Sequence, residues 1–299
     1  MSLLKRIEEG VKRFRGSCNP KEFIETGILS FDITYKGLPR KYITEIYDDE
    51  ASIGKTTIAL QCCKQATNSG LVVLYFSIEH ELSKKVWTAH GVDLSCMALC
   101  TLGSTTDIIN TTSSISPDLL VIDSLASVVP PDESFDSQYR YTQLRKFLRE
   151  LTEVTEKTNS AVLITNQRRS GIYNKTVVGG VSVDHWAYQR LSLRSLEILY
   201  RNYIAIGRKI EVSVALRDQP FVKQGIILDI LFNTGVDTEA DILELGLAKE
   251  IVTRKGSLYQ LDDTSLGRGK ENVSSYLKIN GQVLQQLKER ILSHESNYS

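Results

Sequence analysis

Gly54-Lys55-Thr56-Thr57 follows an apolar segment, Tyr42–Tyr47, and opens a stretch, Lys55–Gln65, that reads as a helix. This is the end of a Walker A loop. Its backbone amides and the helix N-terminus hold phosphate oxygens, the lysine reaches the β and γ phosphates, and the first threonine hydroxyl binds Mg2+. Ser52 and Ile53 lead into Gly54, and together with Thr57 they complete the segment expected to contact a nucleotide. Leu119-Leu120-Val121-Ile122-Asp123-Ser124 is the matching Walker B pattern: four apolar residues end in a carboxylate able to join the Mg2+ shell. Between the two, Ser77-Ile78-Glu79-His80 ends another apolar run. A carboxylate at the C-terminal edge of a parallel sheet lies where ligands bind, and Glu79 there can polarise the water that attacks a γ-phosphate.

The loop departs from its own motif. The pattern places glycine five residues before Gly54, where this chain has Asp49, flanked by Asp48 and Glu50. Carboxylates beside a polyphosphate repel it, and a non-glycine residue resists the backbone conformation such loops use. The expectation is a loop that bulges, turning Asp48 and Asp49 outward, with ATP affinity weakened but not lost.

The elements that must carry these residues alternate strand and helix from about Tyr42 to Gln167. Leu71–Phe76, Leu119–Asp123 and Ala161–Thr165 are continuous apolar runs of the kind buried on both faces. Leu82–His90 and Tyr139–Thr158 have helical spacing. The predicted class is α/β, with a mainly parallel central sheet and helices on both faces. After Gln189, Leu191–Tyr200, Lys209–Leu216 and Gly225–Phe232 read as strands close enough in sequence to pair antiparallel. From about Asp237 the chain reads as helix, short strand pair, helix and helix, a small C-terminal domain. At the other end, Leu3, Leu4, Ile7, Val11 and Phe14 make a short amphipathic helix before the breaker Gly16–Pro20.

Composition bounds the partners only loosely. Apolar residues are 41% and charged residues 24%, which fits a globular chain rather than a disordered one. Lys+Arg and Asp+Glu both number 36, so any footprint for nucleic acid must be local. Arg168, Arg169 and Lys175 make one glycine-containing loop locally basic. No apolar run reaches the length of a membrane span, and the charged N-terminus has no signal-peptide core, so a cytoplasmic location without a membrane partner is expected. Five cysteines without CxxC spacing point to reduced, buried thiols, and four scattered histidines to no structural metal.

Taken in order, these segments resemble the bacterial RecA family over nearly the whole chain. Ile24-Glu25-Thr26-Gly27, Leu29-Ser30-Phe31-Asp32, Gly37-Leu38-Pro39 and Glu45-Ile46-Tyr47 are similar to the family's lead-in to its nucleotide loop. Glu79-His80 with Gly91-Val92-Asp93, Ile122-Asp123-Ser124, Asn166-Gln167, Gly179-Gly180 and Gly267-Arg268-Gly269-Lys270-Glu271-Asn272 follow in the family's order.

The resemblance implies a RecA-type P-loop ATPase core over residues 21–236. A polymerisation helix and linker would precede it over 1–20, and a small α+β C-terminal domain would follow over 237–299. It implies ATP and Mg2+ as cofactors, a helical filament of the chain with itself on single-stranded DNA, and pairing with homologous double-stranded DNA. Glu79, Lys55 and Gln167 would be the catalytic set, with Gln167 sensing the γ-phosphate. Two DNA loops would lie at about Asp132–Ser137 and Arg168–Val178. Arg145, Arg149, Arg168 and Arg169 would meet phosphates, Ile172 would wedge between base steps, the Gly179 and Gly180 amides would meet the backbone, and Arg268 and Lys270 would capture duplex.

Departures are also visible. Of the lysines that reach ATP across the subunit interface only Arg217 lies close. The tyrosine beside adenine falls at Val86, next to Trp87, and the interface phenylalanine falls at His185, next to Trp186. Two other readings stay open: a non-hydrolysing paralogue acting as a recombination mediator, and a hexameric helicase on the same core. The short, divergent chain suggests a phage or mobile-element version.

Overall fold

The structure is a computed structural model, and it describes residues 22–48, 53–78, 82–101, 103–128, 137–170, 175–177, 181–217 and 225–296. The expected N-terminal helix, Met1–Phe14, lies outside the described residues. The chain opens on β1 (Phe23–Ile24), α1 (Leu29–Tyr35) and β2 (Leu38–Pro39). It then alternates through β3 (Ile43–Asp48), α2 (Lys55–Asn68), β4 (Val73–Ser77), α3 (Lys84–Ala89), β5 (Met97–Cys100), α4 (Thr105–Ile115) and β6 (Leu119–Asp123). After α5 (Leu125–Val128) and α6 (Ser137–Thr158) come β7 (Ala161–Ser170), β8 (Lys175–Val177) and α7 (Val181–Trp186). Long strands β9 (Ala187–Arg201) and β10 (Ile204–Leu216) precede β11 (Ile226–Leu231) and β12 (Gly235–Val236). The C-terminal part is α8 (Thr238–Ala248), β13 (Val252–Lys255), β14 (Leu258–Leu261), β15 (Thr264–Arg268), α9 (Lys270–Ile279) and α10 (Gly281–Ser296).

The central sheet runs β12-β11-β10-β9-β3-β7-β6-β4-β5. From β5 to β9 every pairing is parallel, and β9 through β12 continue it as an antiparallel meander. The period-2 alternation of strand side chains explains how one sheet supports two cores. Val73 and Tyr75 on β4, and Leu119 and Val121 on β6, pack with α2 and α1 on one face. Leu74 and Phe76, with Leu120 and Ile122, pack with α4 and α6 on the other. On α6, Leu144, Phe147, Leu148 and Leu151 are the buried stripe, which leaves Arg145 and Arg149 exposed one turn apart. Cys62, Cys63 and Cys96 are buried free thiols, and burial pushes Cys62 and Cys63 well above the ordinary thiol range.

Behind the C-terminal edge of the sheet sits a buried polar contact. Glu45, in the middle of β3, is fully buried. Arg190 on the neighbouring β9 donates Nε to its Oε2 at 2.7 Å, and Asn166 on β7 donates Nδ2 to its Oε1 at 2.7 Å. The Arg190 guanidinium also lies 4.7 Å from the Tyr47 ring centre. A buried carboxylate is tolerable only when paired in this way, so Glu45 fixes β3 against both neighbours.

The C-terminal region differs from expectation in one respect. Where a strand pair was expected, β13, β14 and β15 form a three-stranded antiparallel sheet. The third strand is Thr264–Arg268, whose glycine disguised it as loop in the sequence. With α8, α9 and α10 it encloses its own core, including Leu243, Leu261, Val273 and Leu287. This core leans on α1 through Leu29 and Ile33, and the Ser30 amide donates to Asp241 Oδ2 at 3.1 Å. Among the described residues no helix is long and apolar enough to cross a membrane.

Removing the partner of Glu45 should be costly. Arg190→Met keeps the aliphatic stem and strands a buried charge, so urea denaturation is expected to show a loss of about 3–5 kcal/mol. Adding Glu45→Gln to that variant should recover part of the loss. A cost below about 1 kcal/mol for Arg190→Met, the level of an exposed pair, would show that the contact does not hold the strands.

Candidate functional site

The register of the parallel strands brings four polar residues to one edge. Asp48 on β3 lies opposite Gln167 on β7, and Ser77 on β4 lies opposite Asp123 on β6. Gly54, at φ 131°, ends the loop from β3 and forms the N-cap of α2 without a side-chain cap. A Cβ there would come within 2.5 Å of Ile230 Cδ1, and such a φ favours glycine. The first turn of α2 therefore presents uncapped amides together with Lys55 and Thr56, the donor set suited to phosphate oxygens.

Asp123 is the junction of this edge. Its Oδ2 accepts from Thr56 Oγ1 at 2.9 Å and from Tyr75 OH at 2.7 Å, while Oδ1 accepts from Thr165 Oγ1. One carboxylate thus ties helix α2 to strands β4 and β7. Burial, then the Asp123 charge, hold the Tyr75 phenol well above its ordinary range, which keeps it a donor. A threonine hydroxyl beside one carboxylate fits Mg2+, a hard cation that takes few protein ligands and shares its shell with phosphates. The residues therefore fit a magnesium nucleotide: Lys55 and the α2 amides for phosphate, Thr56 and Asp123 for the metal.

Beside Gly54 lies a cavity of about 580 Å³, lined among others by Thr57, Val86, His90, Ile230 and Phe232. It opens beside the first turn of α2 and is roomy enough for a nucleotide base. Val86, the position the resemblance places beside adenine, lines it. Trp87 does not: its indole is fully buried, edge-on to Tyr75 at 4.8 Å, and donates to Leu82 O at 3.2 Å. Phe232 and His90 are lining residues that sequence reasoning missed, since they lie far from each other in the chain.

Asp48 departs from its expected outward turn. Asp48 is the last residue of β3 and is buried at 3% exposure, with its Oδ2 accepting a hydrogen bond from Lys55 Nζ. It faces inward because the strand runs one residue further than the sequence suggested and a cation waits there. Asp49, Glu50 and Ser52 lie outside the described residues, as do Glu79 and His80. The chain is described as far as Ile78, whose amide donates to Asp123 O at 2.8 Å.

The expected second DNA loop is largely a hairpin. Arg168 and Arg169 continue strand β7, and β8 pairs back antiparallel, with Arg169 opposite Thr176. Ile172, Gly179 and Gly180 lie outside the described residues. In the first expected loop, Ser137 already begins α6, and 132–136 lie outside the described residues. Arg145 and Arg149 share an exposed face of α6, with the Arg145 guanidinium 5.6 Å from the Tyr141 ring centre. Arg217 turns back on its own chain, donating Nη2 to His185 O at 2.8 Å and Trp186 O at 2.7 Å. Arg268 is exposed, whereas Lys270 is ion-paired with Asp229 at 2.9 Å and Glu244 at 3.0 Å. Lys270 is half-buried, which lowers the pKa of its ammonium, but the two carboxylates outweigh that and raise it. Its charge is spent on joining α9 to β11 and α8.

Comparison with known proteins covers both parts of the chain. Residues 13–237 match the RecA N-terminal domain, and residues 240–295 match the RecA C-terminal domain. Protein RecA of Clostridium novyi is 30% identical over 288 residues, spanning 90% of this chain and 82% of that protein. Protein RecA of Clavibacter michiganensis is 30% identical over 290 residues, 91% of this chain and 80% of that one. For protein RecA of Nitratiruptor the figures are 30% over 290 residues, 91% and 84%.

The junction at Asp123 yields a test that separates support from chemistry. Tyr75→Phe deletes one buried donor and should lower stability to denaturant by about 1–2 kcal/mol. Asp123→Asn removes the charge that the metal needs and should weaken magnesium-nucleotide binding more than Tyr75→Phe does. The reverse ranking of the two affinities would contradict this division of roles.

Proposed function

The chain belongs to the RecA family of recombinases, and from that premise we propose that it is a DNA-dependent ATPase that assembles as a helical filament on single-stranded DNA and exchanges strands with homologous duplex. The observation that carries this reading is the direct Thr56–Asp123 hydrogen bond at 2.9 Å, at the uncapped start of α2 in a chain that matches the family from residue 13 to residue 295.

Bound ATP with Mg2+ would supply the phosphoanhydride whose hydrolysis releases the filament from DNA. Lys55 and the first amides of α2 hold the phosphates, Thr56 and Asp123 hold the metal, and Glu79 takes the proton of the attacking water. Val86, His90 and Phe232 surround the base. Gln167 reads the terminal phosphate. It lies on the same strand as Arg168–Ser170, so a shift at the sheet edge reaches the basic hairpin without an intervening hinge.

On the DNA side, Arg145, Arg149, Arg168 and Arg169 meet phosphates of the single strand, Ile172 enters a base step, and the Gly179 and Gly180 amides meet the backbone. Duplex capture falls more to Arg268 than to Lys270, whose charge is already paired. Residues 1–20 serve polymerisation, 21–236 the ATPase core and 237–299 the duplex-facing domain. The setting is the cytoplasm of a bacterium or of a phage-infected host.

One observation favours the second reading, a non-hydrolysing mediator: Lys55 is already engaged by Asp48. ATP turnover with and without single-stranded DNA distinguishes the two. A recombinase shows DNA-stimulated turnover, and Glu79→Gln retains ATP binding and filaments while turnover falls by about 100-fold. Nucleotide binding with no turnover in the unaltered protein, at any DNA concentration, would replace the enzyme by the mediator.

A further inference from the structure

The most distinctive feature of the phosphate end of the site is a carboxylate inside it. Asp48 is buried at 3% exposure of its side chain, Lys55 at 11%, and the Lys55 ammonium donates to Asp48 Oδ2. Asp48 sits opposite Gln167 on one side and Leu193 on the other. It is thus wedged between the lysine that meets phosphates and the strand that senses them. A carboxylate so shielded from water keeps little solvation of its own, and its favourable interactions come from nearby donors. The same lysine cannot give its full charge both to Asp48 and to a polyphosphate.

We propose that Asp48 is a built-in competitor of the nucleotide, a positioning residue that holds Lys55 back so that phosphates must displace it before the site closes. This inference rests on the nucleotide-site reading above and deepens it. The consequence is a lowered affinity for ATP and ADP alike, because the restrained group is the lysine shared by both. The lysine leaves one anion for another, and the carboxylate it leaves loses its cation, which is the cost that lowers affinity. Filament assembly therefore becomes sensitive to the cellular nucleotide level: a site with an internal competitor fills only at higher concentration. The contact also serves the protein without nucleotide, since it gives a buried cation and a buried anion to each other.

Equilibrium binding of ATP and ADP to the full chain tests the proposal, with Mg2+ and again with a chelator. Asp48→Asn removes the charge and keeps an acceptor oxygen. Its dissociation constants are expected to fall about tenfold, the exchange value of one charge-assisted hydrogen bond, both with and without metal. Thermal unfolding without nucleotide should occur at lower temperature, and added ATP should raise it by more than in the parent. Unchanged affinity in both conditions, while Lys55→Ala loses binding, would overturn the competitor role and leave the nucleotide site standing. Weaker binding only when Mg2+ is present would overturn it in favour of Asp48 as a metal ligand. Equal binding by the parent and Lys55→Ala would instead refute the nucleotide site itself. Asp48→Ser is the second variant if Asp48→Asn does not fold. A crystal structure of the unaltered chain with bound nucleotide needs neither variant: Lys55 displaced from Asp48 onto phosphate supports the proposal, and Lys55 still on Asp48 with phosphates elsewhere overturns it.

Discussion

Asp123 accepts hydrogen bonds from three separate elements: the first turn of α2, the middle of β4 and the middle of β7. Three hydroxyl donors on the two oxygens of this part-buried carboxylate restrain it, because every movement breaks a charge-assisted bond. Its position fixes Thr56, and Thr56 fixes where the uncapped end of α2 points. The parallel sheet provides the frame, and this junction adds to the Lys55–Asp48 and Gln61–Gly27 contacts that also hold α2.

Strand β3 carries two buried carboxylates, and the chain satisfies them differently. Glu45 meets Arg190 and Asn166 on the two neighbouring strands. Asp48 meets Lys55, the residue proposed to hold the nucleotide phosphates. The first arrangement stabilises the sheet edge permanently. Under the proposed nucleotide site, the second makes stability and binding draw on the same cation. Further out, the Lys270 ion pairs with Asp229 and Glu244 join the C-terminal region to the core, and a residue with the composition of a DNA contact acts there as a clasp.

Much of the site was legible because its parts are contiguous in sequence. Gly54-Lys55-Thr56 follows its strand directly, and Leu119–Asp123 is both the strand and the ligand. Tyr75 and Thr165 were not legible as supports of Asp123, since each is one polar-tipped residue in an apolar run whose meaning depends on the register of neighbouring strands. Tyr75 in Leu74-Tyr75-Phe76 was nevertheless a signal: a phenol inside a strand buried on both faces needs an acceptor. The inward turn of Asp48 was not legible because it depends on β3 running one residue further than its apolar pattern and on Lys55 folding back onto it. Arg168 and Arg169 read as loop because Gly171 follows them, although the β-branched run Thr176-Val177-Val178 could have suggested the returning strand.

Pairing of a circular single strand with a linear duplex, followed by gel electrophoresis of the joint molecules, addresses the whole chain of reasoning from Asp123 to DNA. Joint molecules that require ATP, Mg2+ and homology are the expected result. Nucleotide-dependent filaments that never yield joint molecules, with homologous and heterologous duplex alike, would contradict the assignment of this chain as a strand-exchange enzyme.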